Sequence, residues 1–219
     1  MEYECKRAII GSLRRLLYLE VSKISQINEL HKKIEGLLAE NIVDEDIEYF
    51  EEYKKITGVM DKQMDDFERD FSISLPTDFK AFYTLKDGSG YPLNLLYTSY
   101  GDSVIPFTLL SFDDIRDTKK FFCDRDTLMS EHYSDEEISK LDSRIKPYLF
   151  NKRWFPFAQV VGGALYLMLD FDPTEQGTAG QVIFYVHDPD FVYFIAPTFS
   201  NLLQDTIQNL EDHWYEECR

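Results

Sequence analysis

The sequence predicts an α+β chain, with helices gathered in its first half and strands in its second. Three observations carry that expectation. Apolar residues recur at helical intervals from residue 6 to residue 71. From Tyr91 onward the pattern changes to short strand-like runs. The strongest of these runs fall together between residues 155 and 196 and are followed by one last helical period. At 219 residues and 44% hydrophobic content, with 17 Phe and 14 Tyr, the chain can fill one large core or a core with an appendage.

Residues 6–38 place Ile10, Leu13, Leu17, Ile24, Ile27, Leu30, Ile34 and Leu37 at gaps of three, four and seven. This spacing predicts one or two amphipathic helices, with Gly36 as the place for a break. The apolar stripe must be covered by the main body, by a hairpin partner or by a second copy of the chain. Residues 1–44 are therefore expected to form a helical appendage, with 45–219 as the main domain and a homo-oligomer through the N-terminal helices as one outcome. Residues 44–56 predict a helix with Asp44 at its start and acids in its first turn. Met60, Met64, Phe67 and Phe71 predict another. Pro76 ends that element, and Thr77 opens a short helix bearing Phe79, Phe82 and Tyr83. Lys86 to Gly90 reads as a turn.

Strand-like runs follow at 93–97 and 104–109, and then a helix capped by Ser111 and reaching about Phe122. Residues 123–133 are expected to form a mobile, charged insertion. Ser134 to Glu137 form a capping box ahead of Ile138, Leu141 and Ile145, a helix that Pro147 should stop. The C-terminal strands are expected at 155–160, 164–170, 181–187 and 191–196. In the third of these, both alternating sets are largely apolar, as in a strand covered on both faces. The turn His187-Asp188-Pro189-Asp190 joins the last two into a hairpin. Thr198 or Ser200 caps a final helix with Leu202, Leu203, Ile207, Leu210 and Trp214 on its stripe. Trp154, Phe157 and Tyr166 stand in apolar runs and are expected in the core.

The net charge is −17 and is unevenly spread. Residues 1–33 hold seven Lys and Arg against four acids, a net +3, which leaves −20 on residues 34–219. Such a field repels phosphate backbones, which argues against nucleic acid as a partner, and it steers basic proteins toward the surface. Solubility alone is the plainer use of the same charge. No run of 18 uncharged apolar residues is present, so no membrane span is expected. The N-terminal MEYECKRAIIGSLRR does not read as a signal peptide. Three widely spaced cysteines, Cys5, Cys123 and Cys218, fit free thiols in a reducing cytoplasm.

Chemistry-bearing patterns are few. Asp170-Phe171-Asp172 has the spacing of a pair that holds a divalent cation, but Pro173 and a Gly-rich loop follow, as at a strand-end turn. His187, Asp188 and Asp190 describe either a small metal cluster or a solvated hairpin tip. Gly101-Asp102-Ser103 lacks the flanking glycine of a nucleophile elbow, and Gly177 to Gly180 is short for a phosphate loop and lacks its lysine. The reading is therefore of a non-enzymatic protein with no cofactor and no metal. Its candidate partner-binding residues are the turn acids Asp170, Asp172, Glu175, Asp188 and Asp190, suited to a Lys/Arg-rich partner.

Two segments carry a family resemblance. The first is Leu75-Pro76-Thr77-Asp78-Phe79-Lys80-Ala81-Phe82-Tyr83 with Asp87-Gly88. The second runs through Pro156-Phe157-Ala158, Gly162-Gly163, Tyr166, Leu169-Asp170, Asp172-Pro173, Gly177 and Gly180-Gln181-Val182-Ile183. In order and spacing they resemble the SUKH superfamily over roughly residues 50–214. That superfamily includes the Smi/Knr-type cell wall assembly regulators and many bacterial toxin-immunity proteins. One departure is Gln159-Val160-Val161 before the paired glycines, where the family often has an acid. The resemblance implies a twisted, mostly antiparallel sheet flanked by helices, to which this chain adds an N-terminal helical segment. It also implies protein binding without catalysis. The functions to weigh are an immunity protein that neutralises a basic toxin domain, a regulator of cell wall assembly, and a metal-dependent enzyme using Asp170 and Asp172.

Overall fold

The computed structural model describes residues 2–122, 125–160 and 162–217, with side chains described for 20–120, 125–160 and 162–212. The three cysteines and Trp214 lie outside the described side chains. The helices are α1 (Glu2–Asn41), α2 (Ile47–Lys55), α3 (Asp61–Phe71), α4 (Thr77–Tyr83), α5 (Phe112–Phe122), α6 (Asp135–Ile138) and α7 (Phe199–Glu217). The strands are β1 (Asn94–Tyr100), β2 (Ser103–Leu109), β3 (Thr127–Leu128), β4 (Tyr148–Phe150), β5 (Trp154–Gln159), β6 (Leu165–Asp170), β7 (Gln181–Val186) and β8 (Phe191–Ala196). Six of them form one antiparallel sheet in the order β1-β2-β5-β6-β7-β8, and β3 pairs with β4 in a separate ribbon. The fold is α+β with a twisted antiparallel sheet.

Strand periodicity explains the layering. Along β7, Val182 and Phe184 enter the main core beneath the helices, while Ile183 and Tyr185 enter a second core on the opposite face. The second core is closed by Met129, Ile145 and Leu149 from the β3–β4 segment. Trp154, Phe157 and Tyr166 are buried, as their apolar runs predict. The sheet curls until Tyr100, at the end of β1, meets Tyr193 on β8 with ring centroids 5.0 Å apart.

The two family-like segments touch. Asp78 of α4 is buried, and its Oδ2 accepts the backbone N–H and the hydroxyl of Ser200, each at 2.8 Å, holding the first turn of α7. Gly180 has φ +84°, and a Cβ there would stand 2.5 Å from Cγ of Pro76. Gly88 has φ +82°, and its Cβ would meet the Ser111 nitrogen at 2.8 Å. In both places the chain passes too close for any side chain, in a backbone region that glycine alone enters freely.

Several expectations change. Residues 2–41 form one unbroken helix, about 60 Å long at 1.5 Å per residue, with no break at Gly36. The stripe docks on the body from Ile27 on, because Ile27 and Ile34, with Leu38, lie in the main core against α4 and α7; Ile24 is exposed, and Ile10, Leu13 and Leu17 lie outside the described side chains. From Ile27 onward the helix is thus part of the fold rather than an appendage; residues 20–26 are exposed. His31 is buried too, with Nε2 2.7 Å from the Tyr53 hydroxyl. Lys86 is buried beside it and donates to the carbonyls of Tyr53 (3.1 Å) and Lys54 (3.0 Å) at the end of α2, where the helix dipole favours a cation.

The helix after Ser134 stops at Ile138. Its capping box forms, but one turn suffices to bring the chain to the ribbon, and Ile145 reaches the second core from a loop. The described part of the expected charged insertion is structured: β3 pairs with β4, and Met129 is fully buried. Residues 123–124 lie outside the description. No described helix is long and apolar enough to cross a membrane.

Candidate functional site

The aspartates of the D-x-D motif do not form an open pair. Asp170 is the last residue of β6 and is fully buried. Its Oδ1 accepts the Trp154 indole N–H (3.0 Å) and the Asp172 backbone N–H (2.8 Å), and its Oδ2 accepts from Gln181 Nε2 (3.0 Å). The bond to the Asp172 N–H makes the motif an Asx-turn that leads the chain out of the sheet. Burial raises the Asp170 carboxyl to about 6, against the opposing pull of those three donors. Asp170 was expected on the surface as a partner-binding acid. Its acceptor capacity instead serves Trp154 and Gln181 in the interior, and it presents nothing to a partner.

Asp172 lies just beyond the strand, where Lys146 Nζ (2.5 Å) and Asn151 Nδ2 (3.0 Å) donate to it. Burial works to raise its carboxyl, and those two donors outweigh burial and hold it below the usual range. The pair, weighed as a metal clamp and read as a strand-end turn, is split between a buried indole and a surface ammonium. Both carboxylates that a cation would need are engaged by protein donors.

The other turn acids divide between two places. Glu175 is exposed in the β6–β7 loop, at the start of β7. Asp188 is exposed, and Asp190 half-buried, in the β7–β8 turn at the other end of that strand. Six residues of strand put these ends about 17 Å apart, so the five acids do not make one patch. Asp190 is held within its hairpin. It accepts from the Tyr185 hydroxyl and pairs with His187 Nδ1 at 2.6 Å. Burial raises its carboxyl, and the Tyr185 and His187 contacts bring it below the usual range. The hydrogen bond to Asp190 in turn raises His187. Among the described residues, no group of three or more His, Cys, Asp and Glu side chains is placed to hold a metal.

The cleft that sequence reasoning missed lies elsewhere, with a volume of about 410 Å³. Its walls come from the ends of α2 and β5, the turn 87–91, the end of β2 and the first turns of α5. Asp87 is half-buried there, its Oδ1 accepting the Phe112 N–H at 2.8 Å. Burial raises its carboxyl; the Phe112 N–H works against this, and the neighbouring Asp113 and Asp114 add to it. Asp114 is exposed, and its Oδ2 accepts from the Ser111 hydroxyl at 2.6 Å. Tyr91 stands at the rim with 69% of its surface exposed. The one sequence signal was that aromatic residue, set directly after a Gly-Ser-Gly turn that cannot bury it.

No curated protein matches this chain. A family model described as the SMI1 / KNR4 family (SUKH-1) matches residues 58–205. The match spans α3 to α6, the curled sheet, the start of α7 and both segments of the resemblance, well over half of the sequence; α1 and α2 precede it. The chain belongs to the SMI1 / KNR4 (SUKH-1) family.

Proposed function

We propose that this chain is a non-enzymatic binding protein that occludes a basic protein partner, and that it acts as an immunity protein against a bacterial toxin domain. The observation that carries the reading is charge: a net −20 on residues 34–219, within a family scaffold whose D-x-D motif is structural. At physiological ionic strength the Debye length is about 8 Å, so this field acts mainly on encounter, while packed contacts set the rate of departure. Glu175 and Asp188 are the turn acids free to act in that way. Asp172 and Asp190 contribute field from within their own pairs.

The test has two parts. Affinity capture from the native cell supplies the partner, whose growth-inhibiting activity is then measured with and without this chain co-expressed. Binding kinetics follow at several salt concentrations, with Glu175→Gln and Asp188→Asn alongside. The reading expects suppression of toxicity, an on-rate that falls with salt, and slower association of the double variant. An acidic partner, or toxicity that co-expression leaves intact, would overturn it.

A further inference from the structure

We infer that the cleft between the turn at Asp87 and the start of α5 receives one arginine side chain of a protein partner. The occupant's charge follows from the lining. Asp87 and Asp114 are its charged members, and among the described lining residues there is no Lys or Arg. A cleft walled by one sign of charge concentrates the opposite sign. The helix start next to it is not open to an anion. The Phe112 N–H is held by Asp87 and the Asp114 N–H by the Ser111 hydroxyl at 3.2 Å. Asp87 also sits among like charges in a half-buried place, which an arriving cation would relieve.

The choice of a guanidinium over a bare metal ion follows from the remaining surface. Ile56, half-buried, offers an apolar wall for a methylene stem, with Leu109 and Leu110 behind it in the main core. Gln159 lines the cleft and, among the described residues, makes no side-chain hydrogen bond, so its carbonyl oxygen is available to an N–H donor. Tyr91 presents its ring at the rim, where a planar cation can stack. Several spaced acceptors, an apolar wall and an aromatic edge match a long, forked donor better than a compact ion.

The inference takes its partner from the basic-protein reading above, but its test does not need that partner. The probe is the capped tripeptide Gly-Arg-Gly, with the same peptide carrying neutral citrulline as control, titrated into the full-length protein while the amide resonances of Gly88, Gly90 and Asp114 are followed. Saturable shifts with the arginine peptide and none with citrulline are expected. The double variant Asp87→Asn, Asp114→Asn should weaken binding by about 10-fold or more. An asparagine at position 87 can still accept the Phe112 N–H, and Asp114→Asn alone, at an exposed position, serves if the double variant folds poorly. Glu175→Gln with Asp188→Asn should leave the shifts unchanged. Equal response to citrulline, shifts spread evenly over acidic surfaces, or full binding by the double variant would overturn the inference. A toxin partner that binds the double variant with unaltered affinity removes the cleft and leaves the immunity reading standing. Arginine binding in the cleft, with no toxin neutralised, does the reverse.

Discussion

Replacing Asp170 with Asn should abolish one component of the protein's pH dependence. The carboxyl is fully buried and raised to about 6, against an ordinary value of 3.8. A group with a raised folded value binds its proton more tightly in the native state than in the unfolded chain. Its contribution to stability is therefore complete below about pH 3.8 and is lost as pH rises through about 6. The difference of about two pKa units corresponds to about 3 kcal/mol. The substituted asparagine keeps the volume and can still accept from Trp154 and the Asp172 N–H, but it cannot ionise. It also turns an amide N–H₂ toward Gln181 Nε2, which adds a penalty that does not vary with pH. Urea unfolding of both proteins, from about pH 4 to about pH 7.5, isolates the titrating part. Relative to the variant, the wild type should lose about 3 kcal/mol between the acid and neutral ends. A gap that stays constant across that range, or that moves the other way, would refute a buried, proton-holding Asp170.

Two further outcomes follow from the packing. Trp154→Ala should destabilise the protein by about 3–5 kcal/mol, because it empties a fully buried site and takes one donor from Asp170; chemical denaturation reads it, and an unchanged midpoint would contradict the burial. Removing residues 2–19 should leave the fold intact by near-ultraviolet circular dichroism. Removing residues 2–38 should abolish the cooperative transition, since Ile27, Ile34 and Leu38 leave the core and Tyr53 loses His31.

Much of this fold was legible where local pattern and burial agree. β5 to β8 announced themselves because Trp154 to Ala158, Leu167 to Leu169 and Val182 to Tyr185 are apolar on both faces of a sheet with a core on each side. Ser134 was readable as a cap because a capping box is local. The end of α6 was not, because tertiary demand for Ile145 in the second core overrode a helical period running from Ile138. The site was harder. Residue type places Asp170 outside, and only the distant Trp154 and Gln181, paired to it across the sheet, make its interior position tolerable. The cleft draws its walls from segments as far apart as Ile56 and Gln159, and no linear spacing brings those together.

The anchoring of α1 separates two boundaries that are easily taken as one. The stretch that marks this chain as a family member begins at residue 58 and ends at 205. The stretch that must be present for the core to close begins near Ile27 and extends at least to Leu210, since Ile27, Ile34, Leu38, Ile207 and Leu210 are all buried in one cluster. A fragment cut at the family limits would bare the α4 and α7 surfaces that α1 covers and shorten the very helix that Asp78 holds at its start. The signature by which the family is recognised is here smaller than what physics requires as a folding unit.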